Sequence, residues 1–183
     1  MNDEMIDYSD RQGDYIITAT GKRFYPIDPR EEDICIEDIA HSLAMLNRYM
    51  GHTRFPYSVA QHCWLGSHFA AKEHQLAFLL HDASEAYVND VARPVKRYLP
   101  DYQQIEDFIQ EIIGKKYGVD LFHEEVKTVD TRMLVTEAPN LCTGEGWWLE
   151  SGWPEPFDCA IEEWPDWKET KQTYLKRFAE LDV

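Results

Sequence analysis

Two of the seven histidines in this 183-residue chain, His62 and His81, stand where a folded chain can bring them to one point, and His81 is followed at once by Asp82. Imidazole nitrogens with carboxylate oxygens suit Zn, Mn, Fe or Co in a site with open positions, whereas thiolate sites need close cysteine pairs. Cys35, Cys63, Cys142 and Cys159 form no CxxC pair, which excludes a zinc knuckle and a thioredoxin-type motif. If the helices bearing the two histidines form an antiparallel hairpin bent near residues 72–75, His62 lies about 15 Å before the bend and His81 about 9 Å after it. That axial offset of roughly 6 Å, between helices about 8–10 Å apart, lets both rings reach one ion, with Asp82 adding an oxygen. Glu85, four residues after His81, falls on the same helical face and is the acid/base candidate. His52, His68, His74 and His123 read as ordinary packing or surface groups, and an isolated His-Asp dipeptide arises easily by accident.

The elements that must position these groups are helical. Tyr15 to Thr20 has strand composition and stops at Gly21, and the prolines at 26 and 29 exclude a helix there. Ile36, Ile39, Leu43 and Leu46 mark one face of a helix reaching about Tyr49. Ser58 caps a second helix carrying His62 to about Ala71, and a third runs from Gln75 to Tyr87. After the Asn89-Asp90 turn come helices over 102–117, ended by Gly118, and over 124–136, closed by Pro139. Residues 140–167 are rich in Trp, Gly, Pro and acid and read as a long loop or lid before a last helix over 168–181. The expectation is a single all-α domain over 1–183, with a short N-terminal strand or hairpin and a loose acidic arm at residues 1–14.

Composition limits what such a domain touches. With 34 acidic against 18 basic side chains, the formal net charge is -16, which argues against nucleic acid polymers and anionic membranes. A small phosphorylated molecule remains compatible, because a divalent ion and a few local cations reverse the field inside one pocket. Aromatic content of 13% and hydrophobic content of 44% suit a packed core. No apolar run approaches membrane-span length, and the acidic start carries no secretory pattern, so the reading is a reduced, cytoplasmic protein.

The longer runs carry more specific information: Tyr57-Ser58-Val59-Ala60-Gln61-His62, then Leu79-Leu80-His81-Asp82-Ala83-Ser84-Glu85-Ala86, then Asp90 and Pro94-Val95-Lys96. Over roughly residues 20–137 the chain resembles the HD-superfamily nucleotide phosphohydrolases, in particular bacterial 5'-deoxynucleotidases and phage-encoded dATP triphosphohydrolases. The resemblance implies an HD-domain helical bundle and a divalent metal (Zn, Co, Mn, Fe or Mg) on His62, His81, Asp82 and a late Asp, which is Asp130, with Asp120 as the alternative. It implies catalytic roles for Glu85 and Asp90, phosphate contacts for Arg48 and Lys96, and a sugar or base contact for Tyr49. A small-molecule nucleotide substrate and a homo-oligomer follow from the same resemblance.

The function expected is therefore metal-dependent hydrolysis of (deoxy)nucleotide phosphate esters, either triphosphate release from a dNTP or orthophosphate release from a dNMP. Two rivals remain: a di-iron oxygenase of the HD type, which needs further ligands from His41 or His52, and a non-catalytic nucleotide-binding protein. The Trp-rich segment (Trp147, Trp148, Trp153, Trp164, Trp167) lies outside the resemblance, with buried packing as its default reading.

Overall fold

The computed structural model describes residues 9–182, and within them the chain is mostly helical with one small sheet. Strands β1 (Ile16–Ile17) and β2 (Arg23–Phe24) pair antiparallel, with Ile16 opposite Phe24. The arm expected at 1–14 lies outside the described residues as far as residue 8. Beyond that it is tied down, because Arg11 bonds Asp28 at 2.9 Å and Asp33 at 2.5 Å and its side chain is almost wholly buried.

Helix α1 (Ile36–Met45) buries Ile39, Ala40 and Leu43 and stops four residues short of the expected Tyr49. Its extension is replaced by a 3-10 turn over Arg48–Gly51, in which Tyr49 and Met50 take positive φ. An isolated bridge between Asn47 and Ser58 turns the chain back. Helix α2 (Val59–Gly66) begins on a capping box: Gln61 N–H donates to Ser58 Oγ, and Ser58 N–H donates to Gln61 Oε1. Such a cap contributes about 1 kcal/mol and fixes the turn on which His62 stands.

After a turn at 67–71 and a short 3-10 stretch, helix α3 (Gln75–Leu80) drives Phe78, Leu79 and Leu80 wholly into the core. Full burial of each such side chain is worth about 1.5–3 kcal/mol. The continuous helix expected to Tyr87 breaks at His81–Ser84 and resumes as α4 (Glu85–Val88). Gln110 explains the break: its side-chain amide donates to the His81 carbonyl and accepts from Ser84 N–H, so backbone groups freed from the helix stay paired. Helix α5 (Arg93–Lys96) is one turn, and α6 (Pro100–Tyr117) ends at Gly118 with φ +66°.

Helix α7 (Glu124–Leu141) runs through Pro139, which was expected to close it near Thr136. The proline deletes one N–H, while buried Ala138 and Leu141 hold the last turn in place and Asn140 Nδ2 donates to the Thr136 carbonyl. Residues 142–166 are irregular apart from a 3-10 turn at Trp147–Leu149. Helix α8 (Trp167–Leu181) closes the core over α1, α2 and α3, with Tyr174 OH donating to the Leu79 carbonyl at 2.7 Å. Among the described residues no helix is long and apolar enough to cross a membrane.

Candidate metal centre

Three short stretches of backbone aim side chains at one point. The capped first turn of α2 supplies His62, the break after α3 supplies His81 and Asp82, and the middle of α7 supplies Asp130. His62 Nε2 stands 3.3 Å from His81 Nε2, 3.3 Å from Asp130 Oδ1 and 3.7 Å from Asp82 Oδ2. His81 Nε2 is 3.2 Å from Asp82 Oδ1 and 3.8 Å from Asp130 Oδ1. With metal–ligand bonds of about 2.1 Å, neighbouring ligands lie about 3.0 Å apart in an octahedron and about 3.4 Å apart in a tetrahedron. The edges among His62, His81 and Asp130 lie at or a little above that size, so these three could hold a metal ion, with Asp82 beside His81.

The outer nitrogens fix how the rings present themselves. His62 Nδ1 lies 2.7 Å from Glu137 Oε1, and His81 Nδ1 lies 2.7 Å from the Phe78 carbonyl. Both partners are acceptors, so each ring donates from Nδ1 and turns an Nε2 lone pair toward the other. Two such lone pairs at 3.3 Å repel unless a proton or a metal ion stands between them. Without a metal, the carboxylates instead draw protons onto the same two nitrogens. Burial disfavours a protonated His81, yet Asp82, Cys63 and Asp130 together outweigh it and lift the pKa well above the ordinary value. Burial also works against an ionised Asp130, yet hydrogen bonds and charge from His62 and His81 hold it well below the usual carboxylate range.

Around this cluster lies a cleft of about 170 Å³. Its wall joins His81, Asp82 and Asp130 to Glu85, Lys96 and Lys127. Glu85 is buried, its Oε2 has no hydrogen-bond partner, and burial followed by repulsion from Asp82 and Asp90 pushes its pKa well above the ordinary value. Asp90 is raised too, chiefly by burial. Lys96 forms an ion pair with Glu106, which is itself buried. Arg48 is not on the cleft wall. It sits behind, 3.4 Å from Asp82 Oδ2 and 3.2 Å from Glu137 Oε2, the latter an ion pair without hydrogen-bond geometry. Tyr49 is not on the wall either, and its buried hydroxyl has no partner.

The structure thus brings His62, His81, Asp82 and Asp130 together with Glu85 beside them, while Tyr49 stands off the cleft wall, its hydroxyl near Glu137 and Arg48. Asp120 is elsewhere, exposed, accepting from Phe122 N–H at 3.0 Å. Among the described residues neither His41, which packs edge-on against Trp167, nor His52 joins a group able to hold a metal. Cys63 makes a second possible group with His81 and Asp82, but its Sγ faces His81 Nδ1, which the Phe78 carbonyl already occupies. Sequence reasoning missed Glu137 and Arg93. Arg93 stands 3.6 Å from Asp130 Oδ2, and its place beside Pro94-Val95-Lys96 was the available signal. Glu137 follows Asp130 by seven residues, two turns of one helix face, and was hidden by ending that helix at Thr136.

No family model matches the chain. It is similar to the uncharacterized protein YfdR of Escherichia coli K12, 42% identical over 141 residues that make up 76% of this chain and 77% of the relative. It is also similar to an uncharacterized protein of Rhodobacter capsulatus, 36% identical over 137 residues, 67% of this chain and 70% of the relative. At this identity and coverage the chain belongs to the YfdR family.

Proposed function

We propose that this chain is an HD-type, metal-dependent phosphohydrolase of small (deoxy)nucleotides, with a divalent ion on His62, His81, Asp82 and Asp130. The observation that carries this reading is the convergence of two imidazole Nε2 atoms and two carboxylates within 3.2–3.8 Å of one another's nitrogens and oxygens. A divalent ion bound there supplies Lewis acidity to a phosphoryl oxygen and to an attacking water.

The chain's own residues supply the rest. Glu85, buried and with one free oxygen, has the raised proton affinity that lets a carboxyl exchange protons nearer neutrality, and it lines the same cleft. Asp90 is the second carboxyl with the same tendency. Lys96 and Arg48 are each held by carboxylates, Glu106 for one and Asp82 with Glu137 for the other. Phosphate oxygens entering the site would compete for those cations, and Arg93 and Lys127 add positive charge at the edge. The net charge of -16 favours a small substrate over a polymer.

The test is to incubate metal-reconstituted protein with deoxy- and ribonucleoside mono- and triphosphates and to separate the products by chromatography. Triphosphate release makes it a nucleotide triphosphohydrolase, and orthophosphate release from monophosphates makes it a nucleotidase. His81→Ala should lose metal and turnover together. Metal binding without turnover of any of these substrates would overturn the reading in favour of a binding role.

A further inference from the structure

We infer that Glu137 is the positioning residue of the metal centre: it locks His62 as a metal ligand and fastens Arg48 beside Asp82 with the same carboxylate. The inference rests on the metal-centre reading above. Glu137 is fully buried, yet each of its oxygens is aimed at a functional group. Oε1 accepts from His62 Nδ1 at 2.7 Å and from Tyr57 OH at 2.9 Å, while Oε2 faces Arg48 Nε at 3.2 Å.

Helix geometry gives it this place. Asp130 and Glu137 are two turns apart, about 10 Å along the axis and within about 20° around it. One face of α7 therefore carries a ligand and, deeper in the core, the group that orients another ligand. A carboxylate on Nδ1 forces the tautomer whose Nε2 lone pair is free, and holds the ring plane in which that lone pair meets His81, Asp82 and Asp130. His81 obtains the same service from a backbone carbonyl, so His62 is the ligand whose orientation depends on one side chain. A buried ionised carboxylate is a poor stabiliser on its own account, since an apolar group of similar volume commonly does as well.

Cobalt(II) is the probe, because its visible absorbance reports metal binding without any turnover. Glu137→Gln keeps the shape and removes the charge, and should weaken cobalt binding by about 10- to 100-fold while the protein stays folded. Thr20→Ala is the control: it deletes the hydrogen bond from Thr20 Oγ1 to Asp38, which touches none of the cluster's groups, and should lower thermal stability without that loss of affinity. A folded Glu137→Gln protein that binds cobalt as tightly as wild type overturns the inference and spares the metal centre. Wild-type protein that binds no cobalt overturns both. Should Glu137→Gln not fold, nitrogen NMR of the wild-type imidazoles decides. A proton on His62 Nδ1 supports the inference, and a proton on Nε2 alone overturns it.

Discussion

Gly66→Ala tests whether the packing under the cluster sets its geometry. A Cβ at Gly66 would stand 2.1 Å from Phe78 Cε1, 2.5 Å from Cζ and 3.1 Å from Met133 Cγ, where comfortable carbon contacts need about 3.5–4.0 Å. Phe78 is fully buried, so its ring must shift by about 1 Å or more into groups that are themselves packed. That ring lies 5.7 Å from the His62 ring and 4.4 Å from the His81 ring, and the Phe78 carbonyl holds His81 Nδ1. Overpacking of this kind costs about 1–3 kcal/mol, and replacing a helical glycine by alanine returns up to about 1 kcal/mol. The net is a loss of about 1–2 kcal/mol, or a fall in Tm of about 2–8 °C for a chain of this size. Calorimetry in chelator gives the Tm, and cobalt titration should show weaker binding as His81 is displaced. Gly118→Ala is the matched comparison. Gly118 has φ +66° and open space around it, so alanine there costs about 1–2 kcal/mol of backbone strain and should leave cobalt affinity alone. A Gly66→Ala protein as stable as wild type with unchanged cobalt affinity would refute the reasoning.

Glu85→Gln should keep the metal and lower turnover by about 10²- to 10⁴-fold if Glu85 moves a proton. It should also change stability with pH. The folded pKa of Glu85 lies well above its ordinary 4.5, so the fold binds this proton more tightly than the unfolded chain does. Wild-type stability is then lost as pH rises from about 4.5 through the folded pKa, and Glu85→Gln should raise the Tm of metal-free protein at pH 8 but not at pH 4. Equal Tm differences at both pH values would remove the assigned shift. Arg11→Met should destabilise by about 3–5 kcal/mol, read by urea unfolding, because Asp33 is left buried without its partner. A loss under 1 kcal/mol would mean that water reaches Asp33.

The one-dimensional pattern determined a good deal by itself. Apolar spacing along Ile36–Leu43 and Val126–Met133, the Ser58 cap and the Gly118 stop are local signals, and each produces its element, although α1 and α2 end before the expected Tyr49 and Ala71 and α7 runs past Thr136. The types and spacing of His62, His81 and Asp82 pointed to a shared site because both histidines flank one bend at similar axial depth. What lay beyond the sequence depends on partners distant in the chain. The helix after Leu80 breaks because Gln110, on α6, satisfies the backbone at His81 and Ser84. Pro139 sits inside α7 because the core holds Ala138 and Leu141 around it. That extra helical turn carries Glu137 beneath His62, and no spacing rule connects residues 75 positions apart. Propensity acts between neighbours, whereas the tautomer of a buried imidazole is set by whichever acceptor the tertiary fold delivers to its second nitrogen.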